Sequence, residues 1–333
     1  MNITKEDISF ISADGKTKIR AFYWFKKDIV KIGILQIVHG MCEHMERYED
    51  FINYMANNGF VVCMHDQLGH GSSSLPENYG FFADENGSEY VLQDILTLNR
   101  KTKETFKKLK IFMLGHSMGS FFARWFVERY PDYVDGAIFM GTSGPNPMAA
   151  SGIVLINIIK AIRGGKYRSK LVNNLSVGGY TKLIDNPQTQ HDWISTKRET
   201  VEKYAADSRC TFIFTVSGYK DFITVMQHVN KEEWAKKINK ELPILMVSGE
   251  QDPVGDFGKG VTIVYNTLKE AGHENVAMKL YEGMRHEPLN EIENEQVYND
   301  IKEWLLNIAD PYIACTCMSR NIRRSKSCAH CSF

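Results

Sequence analysis

Ser117 stands in Gly115-His116-Ser117-Met118-Gly119, after the apolar run 111–114 and before Phe121, Phe122, Trp125, Phe126 and Val127 at helical spacing. The pattern predicts a strand, a sharp turn and a helix with the serine at the apex. Such a turn strains the serine backbone and lifts its hydroxyl above the edge of a sheet. Glycines flank it because no side chain fits where strand and helix pass so closely. A serine hydroxyl is a weak nucleophile, so it needs a base within hydrogen-bond reach and a third group to fix that base's tautomer. On a turn of this kind the partners follow in the order serine, acid, histidine, each after a strand. Asp252 follows the predicted strand 244–248, and His286 follows the predicted strand 278–281. Ser117, Asp252 and His286 are therefore the candidate nucleophile, acid and base, with Glu250 and Asp256 as alternative acids. A developing oxyanion needs fixed N–H donors. The backbone amides of Met118, just after the nucleophile, and of Met41, in the loop beginning His39-Gly40, are the candidates.

The elements that must position these residues alternate. Residues 8–12 and 19–25 flank Ala13-Asp14-Gly15-Lys16, a hairpin signal, so the sheet is expected to open with two antiparallel strands. Buried strands are predicted at 32–38, 60–64, 111–114, 136–140, 243–248 and 276–281. Helices are predicted at 45–57, with Tyr48, Phe51, Ile52 and Met55 on its apolar face, at 90–109, after Ser117 to about 130, and at 295–308. This alternation implies an α/β fold, a mostly parallel sheet covered on both faces. Between 142 and 240 it gives way to helical patterns alone. The expected division is a core of residues 1–142 and 241–310, a helical cap of residues 143–240 over the sheet's carboxyl edge, and a Cys-rich tail of residues 311–333 without a core pattern. In the cap, residues 153–162 are apolar on most sides, and Val154, Ile158 and Ile162 are candidates to line an acyl-chain groove.

Composition narrows the partners. The chain has 333 residues, a formal net charge of zero and 43% hydrophobic residues. That suits a soluble protein of one large domain and gives no reason to expect nucleic acid. No apolar run reaches the ~18 residues of a membrane span, and the polar start lacks a signal-peptide pattern, so the cytoplasm is the expected location. Seven cysteines, an odd number with Cys42, Cys63 and Cys210 scattered singly, do not read as a disulfide framework. His65, Asp66 and His70 read as a hydrogen-bonded loop rather than a metal site, and no metal is assigned. Glu43 and His44 read as a helix start, and the His116 ring is expected to point away from the turn. The tail residues Cys315, Cys317, Cys328, His330 and Cys331 include zinc-like spacings, but an unstructured extension that is dispensable for hydrolysis is the expectation.

These segments together resemble the monoacylglycerol lipase and bacterial lysophospholipase group of serine hydrolases with the α/β-hydrolase fold. Residues 39–48 are similar to that group's H-G-x-x-E-H-x-x-R-Y segment and the glycine-rich stretch that begins at Asp66 to its D-x-x-G-H-G-x-S loop. Residues 115–119 match its serine turn, Asp252-Pro253-Val254 its acid loop and residues 283–287 its histidine loop. Residues 191–195 and 212–219 resemble the cap of bacterial members, with Thr211 where that pattern has glycine. The likeness spans residues 5–310 and implies a carboxylic-ester hydrolase acting on monoacylglycerols or lysophospholipids, with no cofactor. Its partners would be a small acyl ester and, through the cap, a transient membrane surface. The same triad could serve a thioesterase or peptidase, and the fold alone could serve a ligand-binding protein without turnover.

Overall fold

The computed structural model describes residues 2–309 of the chain. Among the described residues ten strands are present: β1 (Thr4–Asp7), β2 (Phe10–Ile11), β3 (Lys18–Ile19), β4 (Ala21–Phe25), β5 (Gly33–Val38), β6 (Phe60–His65), β7 (Ile111–His116), β8 (Gly136–Met140), β9 (Ile244–Gly249) and β10 (Val276–Tyr281). Eight of them form one sheet in the order β1-β4-β6-β5-β7-β8-β9-β10. From β6 to β10 every neighbouring pair is parallel, while β1 and β4 join antiparallel at one edge. Strands β5 to β9 are buried along their whole length, as parallel strands covered on both faces must be. The edge strand β10 alternates instead.

Helices α1 (Glu49–Asn57), α2 (Gly87–Thr105), α3 (Met118–Arg129), α9 (Lys259–Glu270) and α10 (Asn294–Ala309) cover the two faces. Alternate strand residues feed two cores. Leu35, Ile37, Val62, Phe112 and Leu114 pack with Phe51 and Ile52 of α1 and with Val297 and Ile301 of α10. Ile34, Val61, Ile111, Met113 and Phe139 pack on the other side with α2, α3 and α9. The start of the chain differs from expectation. β2 and β3 make a separate two-stranded sheet around the Asp-Gly turn, and it is β1 that pairs with β4. The hairpin signal located the turn but could not say which strand joins the main sheet.

Between β8 and β9 the described residues hold only helices: α4 (Ala149–Arg163), α5 (Lys170–Ser176), α6 (Arg198–Ala206), α7 (Val216–Val229) and α8 (Glu232–Lys237). Val216, Tyr219 and Val229 of α7 join the same core as Phe121 and Phe122 of α3, so part of this insertion is built into the body of the protein. On α4, Ile156 is buried, but Val154, Ile158 and Ile162 are 60%, 53% and 74% exposed. Among the described residues no helix is long and apolar enough to cross a membrane. The cysteine-rich segment lies outside the described residues.

Candidate active site

Ser117 occupies the tip between β7 and α3 with φ 51° and ψ −122°, a left-handed conformation that costs a non-glycine residue energy. Close packing maintains it. A Cβ on Gly119 would collide with the carbonyl oxygens of Val38 and His39, and a Cβ on Gly115 would lie 2.7 Å from that of Ala123. The Ser117 amide is held by the Met140 carbonyl at 2.9 Å, and its own carbonyl accepts the Ser120 hydroxyl at 2.6 Å.

His286, in the loop after β10, meets Asp252 from the loop after β9, with Nδ1 2.9 Å from Oδ2. Asp252 is fully buried, and its other oxygen accepts the Val254 amide at 2.8 Å. With a carboxylate on Nδ1, that nitrogen carries the proton and Nε2 keeps its lone pair. Among the described residues no hydrogen bond joins the Ser117 hydroxyl to the imidazole. Both residues border one cavity of about 510 Å³, whose walls also include Met41, Phe121, Val254 and, from the insertion, Tyr180, Trp193 and Phe222. The Met41 and Met118 amides have no acceptor among the described residues. Met118 opens α3, where a helix leaves its first amides free. The 40–41 backbone abuts the serine, for a Cβ on Gly40 would stand 2.9 Å from that of Ser117.

The structure separates the other candidates. Glu250 is exposed, and among the described residues neither it nor Asp256 bonds to His286. Val154, Ile158 and Ile162 do not border the cavity. α4 turns its Ile156 face inward, so the opposite stripe faces outward. Asp66 spends its carboxylate on loop amides, Met45 at 2.8 Å and Ser72 at 2.7 Å. His44 Nε2 bonds Asp207 at 3.0 Å, and Arg209 takes the same carboxylate.

His116 is not turned away. Its Nε2 lies 3.0 Å from the His286 carbonyl, its Nδ1 lies 2.9 Å from Glu43, and its ring centre is 4.9 Å from that of His286. Glu43, expected only to open a helix, joins this ring to Tyr48 and to the Gly40 amide. Burial disfavours charge on both His116 and Glu43, but their mutual attraction outweighs it. Burial alone would lower His116, yet Glu43 raises it, and Glu43 is itself held well below the usual carboxylate range. Arg47 extends the network, pairing with Glu287 at 2.5 Å. Sequence patterns missed these partners because they lie far apart in the chain and share no periodicity. The acidic and basic residues of segment 43–48 were the available signal.

A family model described as serine aminopeptidase, S33, matches residues 31–293. The chain is 26% identical to the monoglyceride lipase homolog of Monkeypox virus, over 86% of this chain and 93% of the viral protein. It is 25% identical to the monoacylglycerol lipase of Mycolicibacterium smegmatis, over 91% of this chain and 98% of that protein. Among solved structures, a thermostable carboxyl esterase from Bacillus coagulans in complex with glycerol superposes with a TM-score of 0.86. It is 31% identical, with 92% of this chain and all of that one covered.

Proposed function

We propose that this chain, a member of the serine aminopeptidase S33 family and, by its likeness to monoglyceride and monoacylglycerol lipases and to a carboxyl esterase, a serine hydrolase of lipid esters, takes monoacylglycerols or lysophospholipids as substrates. The observation that carries the mechanism is the buried Asp252–His286 pair, 2.9 Å apart, beside a cavity that Ser117 also borders. Ser117 Oγ attacks the acyl carbonyl while His286 Nε2 takes its proton. Asp252 steadies the imidazolium, and the Met41 and Met118 amides receive the oxyanion. The imidazolium then protonates the departing alcohol. Water, deprotonated by the same imidazole, attacks the acyl-enzyme and returns Ser117.

The family's description raises the peptidase alternative. Recognition of a free α-amino group would call for an unpaired carboxylate at the cavity. The carboxylates bordering it, Glu43 and Glu287, are already paired with His116 and Arg47. Aromatic and aliphatic walls suit an acyl chain better. Residues 143–240 serve as the cap in this proposal. The outward stripe of Val154, Ile158 and Ile162, together with exposed Leu171 and Leu175 on α5, supports transient contact with a membrane surface. Three buried free thiols, Cys42, Cys63 and Cys210, support a reducing compartment such as the cytoplasm.

The test is covalent labelling. A fluorophosphonate probe is expected to modify Ser117, and Ser117→Ala is expected to abolish labelling and cut ester turnover by up to about 10⁶-fold. Labelling that survives in Ser117→Ala would move the nucleophile elsewhere.

A further inference from the structure

We propose that the insertion segment from Asp192 to Thr196 holds the His286 imidazole in its working pose, with Glu291 as the positioning residue that fastens the two together. The proposal rests on the assignment of His286 as the base. Both neighbours of His286 hang on this segment. Arg285 Nη1 donates to the carbonyls of Asp192, at 2.6 Å, and Ser195, at 3.3 Å. The Glu287 amide donates to the Ile194 carbonyl at 2.9 Å.

Glu291 closes the joint. Glu291 is 1% exposed. It accepts the Ser195 hydroxyl at 2.9 Å, the Thr196 amide at 2.9 Å, the Thr196 hydroxyl at 2.6 Å and, from the histidine loop, the Arg285 amide at 2.8 Å. A buried carboxylate shared by two segments forms charge-assisted bonds to both, so moving either one strands donors and charge. Trp193, inside the segment, sets its ring 5.1 Å from the His286 ring, at 43°. There its π face can favour the imidazolium formed during turnover. This part of the insertion cannot swing away as a lid without unseating the base, so substrate entry must use another part of the cavity rim.

The experiment uses the whole chain and a nitrophenyl acetate ester, whose acyl group is too short to need an acyl groove. Glu291→Gln is expected to lower kcat about 100-fold with KM unchanged, the scale of an ångström-sized misplacement of a reacting group. Amide exchange at Glu287 should accelerate in the same variant. Trp193→Ala is expected to lose about tenfold in kcat, and Trp193→Phe to restore most of that loss. Wild-type kcat in Glu291→Gln, or a rise in KM with kcat intact, would overturn the proposal. If Glu291→Gln does not fold, the Trp193 variants decide, and wild-type kcat in Trp193→Ala overturns it. Failure of the underlying assignment looks different. His286→Ala would then retain turnover, whereas the present proposal can fail with His286→Ala inactive.

Discussion

At Ser117 the chain accepts φ 51° for a residue with a Cβ, and the surroundings make that conformation the one available. The glycines at 115 and 119 leave room for nothing larger, so the strain is fixed by packing rather than by the serine. The acid can be tested with equal directness. Asp252 is fully buried and bonded to His286, whereas Asp256 sits exposed at φ 49° on the following turn. Asp252→Asn keeps the shape but can present an amide N–H toward Nδ1, favouring the wrong tautomer. It is expected to lower kcat by about 10⁴-fold. Asp256→Asn should change kcat little. Parallel kcat measurements on the two purified variants check this, and the reverse ranking would transfer the acid's role. Loop position after successive strands was enough to make Ser117, Asp252 and His286 the leading candidates in the sequence, and the structure joins Asp252 to His286 beside the cavity that Ser117 borders. The network beside them was not legible there. Glu43 and His116 are 73 positions apart, and His116 and His286 are 170 apart. No local pattern encodes a contact between a loop and a turn that only the finished sheet brings together.

Elements were more legible than their directions. The strand run 136–140 and the last strand, 276–281, could be drawn from the sequence because apolar residues there fit no helical face. The apolar run on α4 was ambiguous for the opposite reason. It has apolar residues on two sides, and periodicity does not reveal which side meets the core. Packing against α7 takes the Ile156 side, which leaves Val154, Ile158 and Ile162 as an outward stripe at i, i+4 and i+8. The acyl-groove expectation for these residues therefore gives way to the proposed membrane contact. Burying three half-exposed aliphatic side chains in a lipid interface is worth about 3 kcal/mol in all, roughly 100-fold in partitioning. The triple variant Val154→Asn, Ile158→Asn, Ile162→Asn should lose that much affinity for phosphatidylcholine vesicles in a sedimentation assay. It should hydrolyse a dissolved acetate ester at the wild-type rate. Unchanged vesicle binding would remove the membrane role from α4.

For the molecule as a whole, buried groups whose charge is disfavoured make stability depend on pH. His65 and His70 are buried so completely that burial, with a smaller push from His39, lowers each to about 3. The unfolded chain protonates them near the ordinary histidine value, so they withdraw stability as pH falls from about 6.5. Asp94 works the other way. It sits on α2, fully buried, and anchors the small β2–β3 hairpin by accepting the Ser12 hydroxyl and the Ala13 amide, each at 2.7 Å. Burial raises it to about 7 because no cation offsets the lost hydration, and the two hydrogen bonds only partly compensate. Its folded value therefore lies above its unfolded one. The stability it contributes is fully present below pH 3.8 and is lost as pH rises toward 7. Asp94→Asn removes that titration while keeping the anchor. The amide oxygen can accept from Ala13, and the amide nitrogen can donate to a reoriented Ser12 hydroxyl. Comparing variant with wild type cancels every other titrating group. The variant's relative stability should climb by up to about 1.4 kcal/mol per pH unit between pH 4 and 7 and then level off. Urea unfolding midpoints at half-unit pH steps measure that difference. A gap that stays constant across the range would mean that Asp94 is ionised in the folded protein at acid pH, held by a donor set stronger than the Ser12 and Ala13 contacts.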